Sequence, residues 1–408
     1  MKLLAISEHY FPRLGGTVSY LHETLSALVR RGVEVELWVP GPEPESWKSD
    51  AAVTINYTLV WIDAGYPTRG DPSRAARYKF CIEVNKLAQK RARGTAPDVI
   101  HTMFGLFVME HLDTDSLREA GLPSVVTVHN VPPNECRLVT NSAPMFNRLM
   151  ENIRLHAVSW KNRARLRAHC YDAVIVPSRQ VHDLLEPILK IKSIQIIGHG
   201  PTQELLALME PPSYRAPKQG SPVRILTVGG YAPHKRQHII PEVAAYLCKQ
   251  GIDFQWDVVG PAGRIAGYYE GIEGVVSRMG IAGQLRICRA VPLAELAKLY
   301  DDANLYVQPS VEEGFCITAL DAAASGLPVI ASPAGALARI ADVSGGDLVE
   351  SNAEALADAI GEFVRGGRWR DARAQAESVC NLFSWDKAAC SLIECYESVM
   401  QCQVSSDG

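Results

Sequence analysis

The sequence predicts an α/β fold: two Rossmann-like, doubly wound parallel sheets, one in each half of the chain, facing a cleft. Three observations predict it. Short, almost wholly apolar runs alternate with longer amphipathic segments nearly from end to end, as do parallel strands buried on both faces beneath covering helices. At 408 residues the chain is longer than one core usually serves, roughly 250–300 residues. The rhythm breaks between His199 and Pro222, where Pro201, Pro211, Pro212, Pro217, Gly220 and Pro222 gather, and such a density of breakers marks a domain boundary.

In the first half the strand-like runs are Leu3–Ser7, Val33–Val39, Thr54–Ile62, Asp98–Thr102, Ser124–His129, Ala173–Pro177 and Ile194–Ile197. Helical periodicity fills Thr17–Arg31, Arg74–Arg93, Gly105–Glu119, Met145–His169 and Ser178–Leu189. In the second half the strands are Val223–Val228, Phe254–Val259, Leu285–Cys288, Leu305–Val307 and Pro328–Ala331, followed by a short run at Leu348–Glu350 and then helices. The expected division is a first domain over 1–200, a linker over 201–222, a second domain over 223–384 and a terminal helix over 385–408.

Composition excludes several function classes. Hydrophobic residues at 47% and charged residues at 21% are globular values, far from disordered or fibrous chains. The net charge of −4 argues against a general nucleic-acid partner. Its distribution is uneven: residues 1–200 carry 24 Lys+Arg against 20 Asp+Glu, and residues 201–408 carry 17 against 25. The ten cysteines form no C-x-x-C pair and sit in apolar or helical runs, as reduced thiols do. No Cys/His cluster or H-E-x-x-H proposes a metal. The N-terminal apolar run is four residues long, short of the roughly 7–15 of a secretory signal, and no uninterrupted run approaches the length that spans a bilayer. A cytoplasmic protein is expected.

Open parallel sheets bind ligands beyond the carboxyl ends of their strands, where helix N-termini point. Neither G-x-G-x-x-G nor G-x-x-x-x-G-K-[ST] occurs, which removes the dinucleotide and P-loop signatures. Three strand-to-helix loops carry chemistry. The first, Glu8 to Gly16, places Gly15 and Gly16 where backbone amides can approach an anion, or simply make a tight turn. Glu8 and Tyr10 stand beside it, positioned to touch a second substrate. The second loop is Val228-Gly229-Gly230-Tyr231-Ala232-Pro233-His234-Lys235-Arg236. Adjacent cations in a first helical turn oppose the helix dipole, so they indicate a bound polyanion unless solvent holds them. The third runs from Pro309 through Glu313 and Gly314 to a helix containing Asp321. Glu313 would face the cleft, the amides of Cys316, Ile317 and Thr318 would meet an anion, and Asp321 could reach a diol beside it. A sugar nucleotide offers hexose hydroxyls, diphosphate and ribose diol in that order.

On these residues the chain resembles a retaining glycosyltransferase of family 4, with the two-domain GT-B fold. The resemblance runs through Phe11-Pro12, Gly15-Gly16, Arg31-Gly32-Val33-Glu34-Val35, Pro97-Asp98-Val99-Ile100-His101, Thr127-Val128-His129 and Val176-Pro177-Ser178. It continues through Val228-Gly229, Lys235, Val258-Val259-Gly260 and, most specifically, Glu313-Gly314-Phe315 to Ile330. It implies transfer of a hexosyl group from a UDP- or GDP-sugar to an acceptor hydroxyl with retention, in glycan, glycolipid or glycosylated-metabolite synthesis. It implies no cofactor and no required metal. Glu313 would contact the hexose, Lys235 the diphosphate, and His129 would lie near the transferred sugar. Gly16, Gly229, Arg236, Gly314, Phe315 and the amides after them would line the donor. The segment from Trp385 would pack back on the first domain. Three positions depart from the family pattern: Asp321 replaces the second glutamate of E-x7-E, Gly230 stands where an arginine is usual, and Arg289 stands where glycine is common.

Other readings share the fold. A sugar-nucleotide epimerase or hydrolase would need further ionisable groups near the sugar, and a catalytically silent partner subunit would tolerate the departures at Gly230 and Asp321. His101, at a strand end, reads equally as a site residue or as a satisfied loop histidine, and Ser178 reads as a helix cap. Met145–His169 carries Arg148, Arg154, Lys161, Arg163, Arg165 and Arg167 against Glu151. Such a helix can lie on anionic lipid as a peripheral contact, or present a solvated outer face.

Overall fold

The computed structural model describes residues 1–10, 16–43, 55–67, 72–130, 171–189, 193–263 and 265–404. These form two compact units. One holds the described residues up to His199 together with Trp385–Val404, and the other holds the described residues of Gly200–Ser384.

The first unit is built on a seven-stranded parallel sheet. Its strands are β1 (Lys2–Ser7), β2 (Glu34–Gly41), β3 (Thr58–Asp63), β4 (Val99–Phe104), β5 (Ser124–Thr127), β6 (Ala173–Val176) and β7 (Ile194–Ile196), in the order β3-β2-β1-β4-β5-β6-β7. Leu4 lies opposite Glu36 on one side and Ile100 on the other. All four residues of β5 and of β6 are buried, which explains their unbroken apolar runs. The described helices are α1 (Gly16–Arg30), α2 (Arg74–Ala92), α3 (Leu106–His111), α4 (Thr114–Glu119) and α5 (Arg179–Leu185). The single helix expected over Gly105–Glu119 is thus two. Asp113 takes the Ser116 amide at 3.1 Å and its hydroxyl at 2.7 Å, and this cap starts a new helix in place of continuing the old one. The basic segment Met145–His169 lies outside the described residues.

The second unit is built on a five-stranded parallel sheet in the order β10-β9-β8-β11-β12. Its strands are β8 (Val223–Val228), β9 (Phe254–Val259), β10 (Leu285–Cys288), β11 (Leu305–Gln308) and β12 (Val329–Ala331). Its helices are α6 (Gln203–Leu208), α7 (Ile240–Lys249), α8 (Tyr268–Met279), α9 (Leu293–Asp302), α10 (Ile317–Ala324), α11 (Leu337–Ser344), α12 (Ala353–Arg365) and α13 (Ala372–Leu382). The run Leu348–Glu350 makes only a bridge to Ala331. Asn352 already caps α12 through the Ala355 amide, leaving no length for a ladder. The terminal helix α14 (Trp385–Val404) belongs to the first unit and packs on α1.

In each sheet the chain order reverses once, between β1 and β4 and between β8 and β11. The loops leaving those four strands therefore diverge and leave an opening at their carboxyl ends. Among the described residues no helix is long and apolar enough to cross a membrane.

Candidate functional site

At the reversal point of the second sheet the loops after β8 and β11 bring Lys235 and Glu313 together. Lys235 Nζ donates to Glu313 Oε1 at 2.6 Å, and the side chains are 19% and 9% exposed. The same oxygen accepts from Ser310 Oγ at 2.8 Å, and Ser310 in turn accepts from Gln308 Nε2 at 2.7 Å. Oε2 has no hydrogen-bond partner among the described residues. Burial alone would raise the Glu313 pKa, but the Lys235 ammonium and the bonds from Lys235 and Ser310 hold it below the usual value. Both groups are charged.

Local backbone makes the pair. Lys235 does not begin an α-helix, as the sequence suggested: it ends a 3₁₀ turn, Pro233–Lys235, and Arg236 follows in the left-handed region at φ 54°. Cys316, before α10, lies there too at φ 83°. Among the described residues these are the only non-glycine positions with positive φ, a conformation that costs roughly 1–2 kcal/mol. Glycines supply the clearance. A Cβ on Gly229 would stand 3.3 Å from Lys235 Cδ, and one on Gly335 (φ +56°) would stand 2.8 Å from Glu313 O. Gly230 is under no such pressure, since its Cβ would meet Pro261 Cγ at an ordinary 3.5 Å.

The other expected donor residues divide. Ile317 and Thr318 are partly exposed at the start of α10, which has no side-chain cap, so its first amides remain available to an anion. The Thr318 hydroxyl donates to Val228 O at 3.0 Å, and Tyr306 OH is 3.1 Å away. Gly314 is partly exposed. Phe315 is 5% exposed and packs edge-on against Phe383, so its side chain belongs to the core. Burial pushes the Cys316 thiol up to about 12. Arg236 has a buried Nε without a hydrogen-bond partner among the described residues. Asp321 accepts from the Thr202 amide at 2.7 Å and the Thr202 hydroxyl at 3.1 Å. Arg289 lies over the Tyr269 ring at 4.6 Å and pairs with Glu270 at 3.3 Å.

At the reversal point of the first sheet the histidines are neutral. His129 Nε2–H donates to Met103 O at 2.9 Å, and burial lowers its pKa to about 4. Tyr20 lies edge-on to His129 at 4.4 Å and against His199 at 4.6 Å. Trp385 stacks on His199 at 5.7 Å. His101 bonds Tyr396 OH at 2.6 Å and Thr127 Oγ1 at 2.8 Å, and burial takes it to about 3. Glu8 is 3% exposed and accepts the Val108 amide at 2.7 Å. Burial raises its pKa to about 7 against the pull of that bond and of Arg77. Tyr10 OH lies 2.6 Å from Tyr57 OH. Gly16 opens α1 and is exposed, and Gly15 lies outside the described residues.

Sequence reasoning missed Ser310, Gln308, Gly335, Thr202 and His199. Gln308 left a signal, a polar residue closing a buried strand, and Ser310 stands three residues before Glu313. Gly335 and Thr202 left none, because their partners are 22 and 119 residues away. Among the described residues one His/Asp/Glu group has metal-ligand spacing, His182 and Asp183 on α5 with Glu186 at its C-cap, and it includes no expected site residue.

Residues 14–201 match the family model described as Glycosyltransferase Family 4, and residues 222–365 match Glycosyl transferases group 1. The chain is 32% identical over 178 residues to a D-inositol 3-phosphate glycosyltransferase of Corynebacterium urealyticum, a match that covers 42% of each protein. To the protein of that name in Segniliparus rotundus it is 25% identical over 407 residues, 95% of this chain and 85% of the relative. Sucrose-phosphate synthase from Thermosynechococcus elongatus superposes with a TM-score of 0.73 at 23% identity, covering 98% of this chain and 99% of that one. Anabaena HepE in complex with UDP does so with 0.65 at 14%, covering 98% and 100%. These structures share the two-sheet GT-B fold.

Proposed function

Because both halves of the chain are glycosyltransferase domains, we propose that the protein moves a hexosyl group from a nucleoside diphosphate sugar to an acceptor hydroxyl, with retention of anomeric configuration. The observation that carries the reading is the buried, charged Lys235–Glu313 pair at the reversal point of the second sheet. Left-handed residues beside it indicate a geometry held against a local energetic cost, which is common where a ligand is gripped.

Cleaving the bond between sugar and diphosphate builds negative charge on the leaving group. Fixed positive potential at that point lowers the barrier, and removing one such donor typically costs about 10²–10³ in rate. Lys235, the unpartnered Arg236 Nε and the first amides of α10 would supply it, doing electrostatically what a metal does elsewhere. In the free protein Glu313 holds Lys235 in place. An arriving diphosphate would share the ammonium, and Glu313 Oε2 is left to accept a sugar hydroxyl. Retention rests on the family resemblance. His129, held neutral, suits hydrogen bonding to a sugar and not ion pairing.

The test is nucleotide binding followed by turnover. UDP, GDP and ADP should be compared by calorimetry on wild type and Lys235→Ala, in chelator and in magnesium. The nucleotide sugar of the tightest binder should then be assayed with D-inositol 3-phosphate, the acceptor in the relatives' name, and with simple sugars. We expect one diphosphate to bind without metal, binding to weaken in Lys235→Ala, and the product to keep the donor's anomeric form by NMR. Failure of every diphosphate to bind would sink the reading, an inverted product its stereochemistry, and a magnesium requirement its metal independence.

A further inference from the structure

His129, just beyond β5, has one ring nitrogen engaged. Nε2–H goes to Met103 O at 2.9 Å, so the neutral ring carries its lone pair on Nδ1. Nδ1 makes no hydrogen bond among the described residues. One neutral hydrogen bond favours an orientation by only about three- to tenfold, and the ring is held more firmly by its neighbours. Tyr20 stands edge-on to it at 4.4 Å and His199 lies at 5.9 Å. Behind them is the terminal helix α14. Its first residue, Trp385, stacks on His199 at 5.7 Å with the ring planes 19° apart, and lies 6.0 Å from Tyr20. Tyr20 is also fixed at its hydroxyl. Thr127 Oγ1 is 3.3 Å away, His101 Nε2 meets that oxygen at 2.8 Å, and Tyr396 of α14 meets His101 Nδ1 at 2.6 Å. Tyr20, His199 and Trp385 are 4%, 4% and 2% exposed, so no loose ring interrupts the series. All belong to the first unit.

Resting on the function proposed above, we infer that Trp385 is a positioning residue: through His199 and Tyr20 it confines His129 to one ring orientation, which presents Nδ1 as an acceptor to a sugar hydroxyl. Turning an imidazole over exchanges its nitrogens with its carbons, and the ring then offers a different set of atoms on each side. The turn needs space that Tyr20 and His199 occupy. In the orientation they allow, only Nε2 can donate to the Met103 carbonyl, and that settles the tautomer. An acceptor nitrogen suits a hydroxyl and repels phosphate oxygens, which can only accept. Without the indole at their back, His199 and Tyr20 lose the wall that keeps them against His129. Trp385 thus acts through two rings and need not touch the sugar.

The experiment reads the histidine ring nitrogens of the full chain by long-range proton–nitrogen NMR and then measures transfer. We expect wild-type His129 in the single Nε2–H form. Trp385→Leu should give nitrogen shifts averaged over two forms, and Trp385→Phe, which keeps a ring, should restore the single one. With the active donor, Trp385→Leu should lower kcat/KM about three- to tenfold, the worth of one neutral hydrogen bond. In a His129→Ala background the same substitution should change kcat/KM by no more than about twofold, because the two residues act as one. An equal loss in both backgrounds would make Trp385 merely structural and overturns the inference. So does a His129 tautomer that Trp385→Leu leaves unmoved, or one already mixed in wild type. If Trp385→Leu fails to fold, His199→Leu, which removes the ring between, carries the same comparison. If no donor turns over, the proposed function fails, while the tautomers of wild type and Trp385→Leu still decide the positioning.

Discussion

Glu8 and Glu313 end up in comparable places, each at the carboxyl end of a parallel sheet where the strand order reverses, and each nearly buried at 3% and 9% exposure. Their ionisation is opposite. Burial takes Glu8 up to about 7 with only backbone amides and Arg77 to oppose it. Glu313 is held below the usual carboxylate range by a lysine at 2.6 Å. Burial sets the same penalty on both, and a partner of full charge decides which way the balance falls. The second unit therefore keeps a charged pair at its reversal point. The first keeps neutral histidines and an acid whose pKa burial raises to about 7.

The sharpest way to break this contrast is to make Glu313 resemble Glu8. Lys235→Ala removes the compensating cation and, on the proposed function, the positive charge that would meet the leaving diphosphate. We expect kcat/KM for transfer to fall about 10²–10³-fold, and the Glu313 pKa to rise above its ordinary value, readable by carboxyl NMR. Turnover at the wild-type rate would remove Lys235 from the site. Glu313→Gln keeps size and hydrogen-bonding shape while discarding the charge. Its bonds to the sugar should matter most as the glycosidic bond breaks, so kcat should drop about a hundredfold with little change in donor KM. A change in KM alone would make Glu313 a binding residue only.

How much of this contrast could be read in the sequence depends on distance along the chain. Both sheets and three of the four reversal loops were legible, because each apolar run except Leu348–Glu350 is one strand and each of those loops carries its glycines locally. Glu313 and Lys235 were legible as candidates through residue type and neighbouring motif. Their mutual bond was not, since 78 residues separate them. Nor was the fate of Asp321. Spacing places it one turn into a helix near a diol, but Thr202, 119 residues back, supplies two hydrogen bonds that no local pattern announces. The 3₁₀ turn at Lys235 was hidden for a related reason: Arg236 must adopt a left-handed φ that its residue type disfavours, so local propensity points elsewhere.

A smaller effect should appear at acid pH, in the first unit. His101 and His129 are held neutral, at about 3 and 4 against 6.5 unfolded. The unfolded chain binds their protons first as pH falls. Their stabilising contribution is therefore full above 6.5 and is lost as pH drops through the window down to those folded values. At pH 5 each histidine should cost about 2 kcal/mol. Melting temperature should fall steeply between pH 7 and pH 5, and His101→Asn should flatten the slope. An unchanged slope would mean that His101 is solvated.

The smallest effect is expected at Glu8, and it carries the opposite sign. A carboxyl raised from 4.5 to about 7 by burial contributes fully below 4.5 and loses that contribution as pH rises through 7, because folding then buries a charge. The difference corresponds to at most about 3 kcal/mol, and relaxation around an ionised side chain should reduce it to about 1–2 kcal/mol. Glu8→Gln reproduces the protonated acid: its carbonyl oxygen can still accept the Val108 amide, and its NH2 stands where the acid's hydroxyl stood. It also fits the tight floor, since a Cβ on Gly105 would lie 2.5 Å from Glu8 Cγ and glutamine adds no bulk there. Glu8→Gln should therefore raise the melting temperature at pH 8 and leave it nearly unchanged at pH 4. The equivalent change at Glu313 should destabilise at pH 8, because it strands the Lys235 charge in a buried site. If the two substitutions shift stability the same way at pH 8, a cation partner is not what separates the two glutamates.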